Sequence, residues 1–517
     1  MVENIRPPVV PVQGQGAGLP LKPHRGVVVL VLGILGIVVC FICGIIAWVM
    51  GNNDLREMTA GIMDPSGRGM TQAGIADQKA LPRQDRKESQ EDFEARIKWW
   101  REARFGMFIH WGPVSLKGTE ISWSRGGERR GISGKGDIPV EIYDNLYKEF
   151  NPIVFDARQW ITIAKAAGMK YVVFTAKHCD GFALWHSNFT DYNISRSPFR
   201  RDICAELAEA AHEAGMRIGW YYSPMDWRDP DCRTERNARY VSSMQGQLRE
   251  LLANYGRIDI LWFDTDGGPC PWDQHETYRL VRTLQSQIII NNRLDMGSNE
   301  DYNAQRIGPN ADYYTPEQCI GDFDNHRPWE TCMTLGTQWS WKPNDTIKSP
   351  KECLHILIRC VGGDGNLLFN VGPMPTGQIE PRQVECLKQM GGWLQSYGES
   401  IYGTRGGPFK PGKYGVSTCK GRTIYLHILS RPVEMLRLPP IPAKIVTYTT
   451  LTGGKAAVRQ TDTGIEISIS AAPVSSVEDR NGSQEIDTIV ALELDRPAIQ
   501  IEPLAIIEPA NSLPTGR

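Results

Sequence analysis

The chain lacks the features that mark several large classes of protein. Its 57 Lys and Arg are balanced by 59 Asp and Glu, and no block of basic residues occurs. Nucleic acid is therefore not expected as a partner, because it attracts proteins through clustered positive charge. No strand-like run is followed by G-x-G-x-x-G, so a Rossmann-type dinucleotide site is not expected either.

Patterns for two kinds of hydrolytic site are also missing. The absence of H-x-H and H-E-x-x-H argues against metal-dependent hydrolysis, and the absence of G-x-S-x-G argues against a serine esterase. We therefore expect neither a metal nor another cofactor. The 12 cysteines are scattered, and the one C-x-x-C, at Cys40 and Cys43, has no second pair to complete a zinc site. Buried free thiols are expected, although one or two disulfides would be compatible with a location outside the cytoplasm.

Charge is absent from one long apolar run. Residues 27–50 are 24 residues without Asp, Glu, Lys or Arg, enough for a transmembrane helix across a hydrocarbon core of about 30 Å. A cleaved signal peptide is the alternative, but its apolar core is usually only about 7–15 residues long, and no A-x-A-like site follows this run. Slightly more Lys and Arg precede the run than follow it, so we expect residues 1–26 to be a cytoplasmic tail. The rest of the chain would then be extracytoplasmic, in the periplasm or at the cell surface.

Aromatic residues are absent from residues 51–92, which predicts a flexible linker because such a segment buries too little apolar surface to fold alone. From residue 93 to residue 404, strand-like runs alternate with amphipathic helical patterns. About eight such units fit a TIM-like (β/α)8 barrel, with a doubly wound sheet as the alternative. The expected strands are 105–111, 171–176, 217–223, 259–264, 287–293, 312–317, 331–335 and 367–371, and the expected helices are 157–167, 202–214, 237–253, 276–285, 350–361 and 381–396.

The hydrophobic period changes to two after residue 404. Residues 423–428, 444–449, 464–470 and 488–494 alternate apolar and polar side chains and are separated by Gly, Pro, Asn and Asp. This pattern predicts a small antiparallel β-sandwich over residues 405–517.

Polar residues recur where the predicted barrel strands end. Asp264 ends an apolar run, and other strand ends carry His110, His178, Tyr221 and Arg293. For a single Asp after a strand, a cap on the next helix or turn is the simpler interpretation, but the recurrence at one rim favours a pocket. Two carboxylates in aromatic and imidazole surroundings match glycoside hydrolysis, in which one attacks or activates water and the other protonates the leaving oxygen.

Five motifs along this region resemble those of one glycosidase family, the α-L-fucosidases of glycoside hydrolase family 29. The resemblance covers about residues 99–408 in the correct order, and the C-terminal region fits by position and pattern only. The motifs are RFGMFIHWGP at 104–113, residues 171–185 with KHCDGF, LWFD at 261–264, WETCM at 329–333 and NLLFNVGP at 366–373.

The resemblance implies a retaining exo-α-L-fucosidase that removes terminal fucose from glycans, with Asp264 as its nucleophile. Glu317, in a Pro-containing strand end, resembles the acid/base region of the family, whereas Glu330 is the rival for that role and otherwise a candidate for sugar binding. The residues that the resemblance assigns to fucose are His110, His178, Tyr221 and Arg293 for its hydroxyls, and Phe108 and Trp262 for its apolar face and methyl group.

Two other functions stay open from the sequence. The same scaffold would act on a related sugar such as a β-galactoside if its pocket admitted a hydroxymethyl group. A carbohydrate-binding surface protein with a decayed barrel is the non-enzymatic alternative, and the presence of Asp264 with two candidate acids argues against it.

Overall fold

The computed structural model describes residues 88–265, 271–295, 307–430, 435–470 and 486–506. The expected tail (1–26), the expected transmembrane helix (27–50) and all but the end of the expected linker lie outside these ranges. Within them, no helix is long and apolar enough to cross a membrane. The chain divides by its contacts into Met1–Asp92 and Phe93–Arg517, so the barrel region and the C-terminal sheets belong to one unit.

Eight α-helices occur in the described part of the chain. Asp156, Asp202 and Ser349 each precede one of them and accept a hydrogen bond from a backbone N–H of its first turn. Such a cap satisfies a donor that has no partner within the helix. The helices are α1 (Gln90–Ala103), α2 (Val140–Tyr143), α3 (Ala157–Ala166), α4 (Ile203–Glu213), α5 (Asn237–Ala253), α6 (Gln274–Leu284), α7 (Pro350–Gly362) and α8 (Pro381–Tyr397).

Seven strands pair in parallel in one curled sheet. Almost all of their residues are buried, since helices pack on the outer face and side chains fill the inner one. Uninterrupted apolar runs are the sequence counterpart of this burial on both faces. The strands are β1 (Phe105–Ile109), β2 (Tyr171–Lys177), β3 (Arg217–Tyr222), β4 (Ile260–Phe263), β5 (Ile289–Ile290), β6 (Glu330–Thr334) and β7 (Asn366–Val371), in the order β5-β4-β3-β2-β1-β7-β6.

The expected eighth strand, residues 312–317, forms only isolated β-bridges. Tyr313 pairs with a residue just beyond β5, whereas Tyr314 and Glu317 pair with residues beside and within β6. The segment therefore joins the two edges of the seven-stranded sheet and gives it a TIM-like form. Pro316 has no N–H to donate to a neighbouring strand, which explains why a regular ladder does not form and why seven regular strands replace the expected eight.

The second departure from expectation concerns residues 287–293. Only Ile289–Ile290 form a strand, and the chain then enters a short 310 helix, Asn292–Asp295. Arg293 consequently lies in a turn beyond β5 rather than at the end of a longer strand. The other expected barrel strands and helices begin and end within two residues of their expected bounds.

Eight further strands form two antiparallel sheets, as expected for the region after residue 404. Side chains from both sheets share one apolar core, for example Leu426 and Ile467. The strands are β8 (Arg405–Gly406), β9 (Gly415–Lys420), β10 (Thr423–Ile428), β11 (Leu436–Leu438), β12 (Ile445–Thr450), β13 (Lys455–Thr461), β14 (Gly464–Ser470) and β15 (Thr488–Leu494). The order of the five-stranded sheet is β12-β15-β10-β9-β8, and that of the three-stranded sheet is β11-β14-β13.

A buried cluster of ion pairs joins the barrel to these sheets. Asp364, just before β7, accepts hydrogen bonds from Arg104 and from Arg405, each at 2.6 Å. It also accepts from the backbone N–H of Gly406 at 2.9 Å. Burial raises the pKa of Asp364, but the two guanidinium groups outweigh burial and hold that pKa below its ordinary value. Because an unpaired buried charge is costly, each partner in this cluster depends on the others.

The cysteines in the described ranges are all free thiols, and eight of these nine are buried. Cys353 on α7 and Cys386 on α8 approach each other, with 3.7 Å between their sulfur atoms. Both cysteines are buried and pack in the core as small apolar side chains do.

Candidate active site

The carboxyl ends of the parallel strands bring five of the predicted site residues to one edge of the sheet. His110 follows β1, His178 follows β2 and Asp264 follows β4. Tyr221 lies next to the end of β3, and Arg293 reaches the same edge from the turn after β5. In parallel barrels this is the edge at which side chains from different strands converge on a ligand.

Asp264 and Glu317 share one guanidinium nitrogen. Arg293 Nη1 lies 2.8 Å from Oδ1 of Asp264 and 2.8 Å from Oε2 of Glu317. The two carboxylate oxygens are therefore separated by no more than twice that length. Tyr221 donates its hydroxyl hydrogen to the other oxygen of Asp264, Oδ2, at 2.7 Å. The side chains of Asp264 and Glu317 remain 20% and 26% exposed, so both are accessible from solvent.

The Arg293 side chain is fixed by its neighbours. Its Nε donates to Oγ1 of Thr315 at 2.9 Å, and its Nη2 donates to the carbonyl oxygen of Thr315 at 3.3 Å. The guanidinium carbon lies 4.5 Å from the centre of the Trp262 ring, which is the geometry of a cation–π contact. With 1% of its side chain exposed, Arg293 presents a fixed positive charge to both carboxylates.

These surroundings raise the pKa of Asp264. Burial raises it, the Arg293 guanidinium lowers it and the negative charge of Glu317 raises it, and the resulting pKa is about 6. Asp264 is therefore a carboxylate at neutral pH and becomes protonated in mildly acidic solution. A charged, partly desolvated carboxylate of this kind suits nucleophilic attack.

Hydrogen bonds fix the tautomer of His110. Asn370 Nδ2 donates to the carbonyl oxygen of Trp339 at 2.7 Å, so the amide oxygen of Asn370 faces His110. That oxygen lies 2.7 Å from Nδ1 of His110 and accepts only, so Nδ1 carries the hydrogen. Burial lowers the pKa of His110 to about 3, which leaves Nε2 as a hydrogen-bond acceptor across the neutral pH range.

His178 provides a second neutral imidazole. Its Nδ1 lies 2.6 Å from Oγ of Ser122, and its ring stacks on Tyr221 with 5.3 Å between centroids and 2° between planes. Burial, with a smaller contribution from His110, lowers the pKa of His178 well below its ordinary value. Both histidines therefore act as neutral hydrogen-bonding groups rather than as charges.

Aromatic rings form an apolar wall beside these polar groups. The ring of Phe108 lies 4.5 Å from that of His110 and 5.1 Å from that of Trp262, measured between centroids. Trp262 stacks on Tyr221 at 5.6 Å, and Trp339 lies 4.8 Å from His110. A wall of this kind combined with a few fixed polar groups is typical of a small-molecule pocket.

The structure does not bring Glu330 together with the other predicted site residues. Glu330 is the first residue of β6 and pairs with Asn366, the first residue of β7. It therefore lies at the end of the sheet opposite to Asp264. Its side chain is fully buried, and burial raises its pKa to about 7.

Three residues that support the site were missed in the sequence because they lie in loops or lack a distinctive motif. Ser122 holds His178, and Trp339 packs on His110. Glu120 accepts the backbone N–H of Trp339 at 2.8 Å across 219 positions of the chain, and no periodic pattern marks such a contact. A signal did exist for Asn370, since it is a polar residue within the apolar strand β7.

The described residues contain no group of three or more His, Cys, Asp or Glu side chains that could hold a metal ion. What the site itself provides is a carboxylate placed for attack, a second carboxyl group beside it, two neutral imidazoles and an apolar wall. These groups support displacement at a carbon atom with proton transfer to the departing oxygen.

The family model described as Alpha-L-fucosidase matches residues 72–399, which is more than half of the chain. The chain belongs to the α-L-fucosidase family. Human plasma α-L-fucosidase is 33% identical over 334 residues, which cover 59% of this chain and 69% of that protein. The α-L-fucosidase of Dictyostelium discoideum is 27% identical over 335 residues, covering 59% and 71%. The family that the sequence motifs predicted is thereby confirmed, and the protein is a glycoside hydrolase.

Solved structures of fucosidases share the fold. α-L-Fucosidase isoenzyme 1 from Paenibacillus thiaminolyticus aligns with a TM-score of 0.67 and 33% identity, covering 78% of this chain and 99% of that one. An α-L-fucosidase of family 29 from Bacteroides thetaiotaomicron aligns with a TM-score of 0.65 and 26% identity, covering 77% and 96%.

The raised pKa of Asp264 predicts the acid side of the pH profile of this fucosidase. We expect kcat/KM for an aryl α-L-fucoside to fall below about pH 6, because protonation removes the negative charge of Asp264 from the site. In Glu317→Gln this fall in kcat/KM, the acid limb of the profile, should move to lower pH. Burial still raises the Asp264 pKa in that variant, but the negative charge of Glu317 no longer does. Glu213→Gln, an exposed glutamate on α4, is the control and should leave the profile unchanged. An acid limb that stays in place in Glu317→Gln would contradict the coupling of the two carboxylates.

Proposed function

We propose that the protein is a retaining exo-α-L-fucosidase in which Asp264 is the nucleophile and Glu317 is the general acid/base. The observation that carries this proposal is the sharing of Arg293 Nη1 by the two carboxylates, each 2.8 Å away. In retaining glycosidases the two carboxyl groups are about 5–5.5 Å apart, whereas inverting enzymes keep them about 6.5–9.5 Å apart to admit a water molecule. Two oxygens bound to one nitrogen atom fit the shorter separation.

A related solved structure supports the covalent route. The Bacteroides thetaiotaomicron enzyme is described as a trapped covalent intermediate, obtained with 2-fluoro-fucosyl fluoride in a glutamate-to-glutamine mutant. A covalent glycosyl-enzyme belongs to the retaining mechanism, and its trapping in a glutamate mutant agrees with a glutamate as acid/base.

The proposed reaction has two displacements. In the first, Asp264 attacks the anomeric carbon, the bond to the leaving oxygen breaks and Glu317 gives that oxygen its proton. In the second, Glu317 takes a proton from water as the water oxygen attacks the anomeric carbon, and the bond to Asp264 breaks. Arg293 and Tyr221, which already contact Asp264, stabilise the carboxylate as it leaves.

The remaining residues are proposed to recognise fucose. Nε2 of His110 accepts a hydrogen bond from a sugar hydroxyl, while His178, Tyr221 and Arg293 supply further hydrogen bonds. The wall that contains Phe108 and Trp262 packs against the apolar face and the methyl group. A galactoside carries a hydroxymethyl group instead, and burying its oxygen against apolar rings without a partner is unfavourable. Fucose is therefore the preferred sugar.

Residues 27–50 are proposed to anchor this enzyme in a membrane, with the catalytic region outside the cytoplasm. The support is the uncharged run of 24 residues and the small excess of Lys and Arg before it. The substrate would then be a fucosylated glycan at the cell surface or in the periplasm.

Replacing Asp264 by Gly in the full-length protein should lower turnover of an aryl α-L-fucoside by roughly 10³-fold or more, about 4 kcal/mol in the barrier, because the covalent route is lost. Added azide should restore consumption of the substrate and give a fucosyl azide of inverted configuration. Asp191→Asn, at an exposed aspartate that pairs with Arg196, is the control. Near-normal turnover by Asp264→Gly would refute the assignment of the nucleophile.

Replacing Glu317 by Ala should affect substrates according to their leaving group. Hydrolysis of a fucosyl disaccharide should fall far more than that of α-L-fucosyl fluoride, because fluoride departs with little proton assistance. Azide should then yield a fucosyl azide of retained configuration. If Glu330→Ala shows this dependence on the leaving group and Glu317→Ala does not, the acid/base is Glu330.

The membrane proposal predicts that the full-length protein stays in the membrane fraction after a carbonate wash. Protease added to intact cells should release an active fragment that begins within residues 51–92. A variant without residues 1–50 is the control and should be recovered in soluble form. A soluble wild-type protein whose N-terminus maps just after residue 50 would show instead that the run is a cleaved signal.

A further inference from the structure

Glu330 is a buried carboxylate that gathers hydrogen bonds from three elements at the closed end of the barrel. Nε1 of Trp100 on α1 donates to its Oε2 at 3.2 Å, and the hydroxyl of Tyr171 at the start of β2 donates to the same oxygen. Nε1 of Trp262 on β4 donates to the other oxygen, Oε1, at 3.3 Å. None of this side chain is exposed, so Glu330 does not contact a substrate.

Trp262 connects this carboxylate to the active site. Its indole N–H points to Glu330, while its ring packs on Arg293 at 4.5 Å and on Tyr221 at 5.6 Å. Arg293 and Tyr221 are in turn the two side chains that hydrogen-bond to Asp264. The orientation of one indole ring therefore sets the surface against which both partners of Asp264 rest.

We propose that Glu330 is a positioning residue, which fixes the indole plane of Trp262 and through it the placement of Arg293 and Tyr221 on Asp264. This role rests on the proposed function of Asp264. An indole has a single hydrogen-bond donor, and the donor is buried here, so an acceptor at Oε1 of Glu330 selects one orientation of the ring. Catalytic groups keep an exact geometry only when the residues that contact them are themselves fixed by packing and hydrogen bonds.

The ionised form of Glu330 is suited to this task because both of its oxygens accept, and a pKa of about 7 makes this form the major one above neutral pH. Glutamine has nearly the same shape but only one accepting oxygen, and its NH₂ group meets another donor on the opposite side. Glu330→Gln therefore leaves at least one indole N–H without an acceptor. Tyr171→Phe is a matched control, because it also removes one hydrogen bond from Glu330 but leaves the bond to Trp262 in place.

The test compares Glu330→Gln and Tyr171→Phe in the full-length enzyme with α-L-fucosyl fluoride as substrate. Both variants should lower the melting temperature. Only Glu330→Gln should lower kcat, by roughly tenfold or more, with a smaller change in KM, because small displacements of catalytic groups have large effects on rate. Glu330→Asp keeps the carboxylate but moves it away from Trp262 by the length of one methylene group, so it should also lower kcat. This variant replaces Glu330→Gln in the test if Glu330→Gln does not fold.

The pH profile separates positioning from general loss of stability. The charged and titratable groups that face Asp264 are Arg293, Glu317, Tyr221 and Cys332. If Arg293 draws back when Trp262 is released, its positive charge lowers the Asp264 pKa less, and the acid limb of kcat/KM moves to higher pH in Glu330→Gln. Tyr171→Phe should leave that limb where it is in the wild type.

Equal kcat values and equal acid limbs in Glu330→Gln and Tyr171→Phe, with an active wild type, would overturn the positioning role and leave the proposed function intact. A wild-type enzyme that does not hydrolyse α-L-fucosyl fluoride would overturn the proposed function and the positioning role together. A fall in kcat and a shifted acid limb confined to the Glu330 variants would establish the positioning role.

Discussion

The site depends on one buried guanidinium. Arg293 is almost fully buried, and its charge is balanced by Asp264 and Glu317 at equal distances of 2.8 Å. Because an unpaired charge in such a place is strongly unfavourable, the ion pairs with Arg293 help to hold both carboxylates in place. The irregular parts of the barrel meet here: the short strand β5, the turn that carries Arg293 and the bridging segment that carries Glu317.

The barrel interior is organised in layers along its axis. At the closed end Glu330 collects hydrogen bonds from buried donors, and aromatic rings such as Trp262 fill the middle. The open end carries Asp264, Glu317 and the two histidines. The aromatic layer separates two carboxyl environments, and for that reason a raised pKa does not identify the acid/base by itself. Burial raises the pKa of Glu330 to about 7, a value suited to a general acid, yet Glu330 has no access to a substrate.

Both histidines are neutral because burial lowers the pKa of each imidazole. Asn370 and Ser122 occupy their Nδ1 atoms, which leaves the opposite ring nitrogens for a ligand. In a site that already contains Arg293 and two carboxylates, neutral donors and acceptors can bind sugar hydroxyls without disturbing the charge balance on which Asp264 depends. In the proposed function the imidazoles serve recognition and the carboxylates serve the chemistry, while Tyr221 and Arg293 contribute to both.

The sequence by itself determined the regular part of this protein. Apolar runs buried on both faces predicted β1 to β4 and β7, and motifs around His110, His178 and Asp264 indicated the family. Alternation predicted four of the eight C-terminal strands, namely β10, β12, β14 and β15. These signals are local, since each depends on residues adjacent in the chain. Only the tertiary structure decided between Glu317 and Glu330 as partners of Asp264, because both are glutamates in strand-like segments and differ in which end of the barrel they occupy. It also decided the contacts of Arg293, Ser122 and Trp339, because these join segments far apart in sequence and leave no period or spacing in the chain.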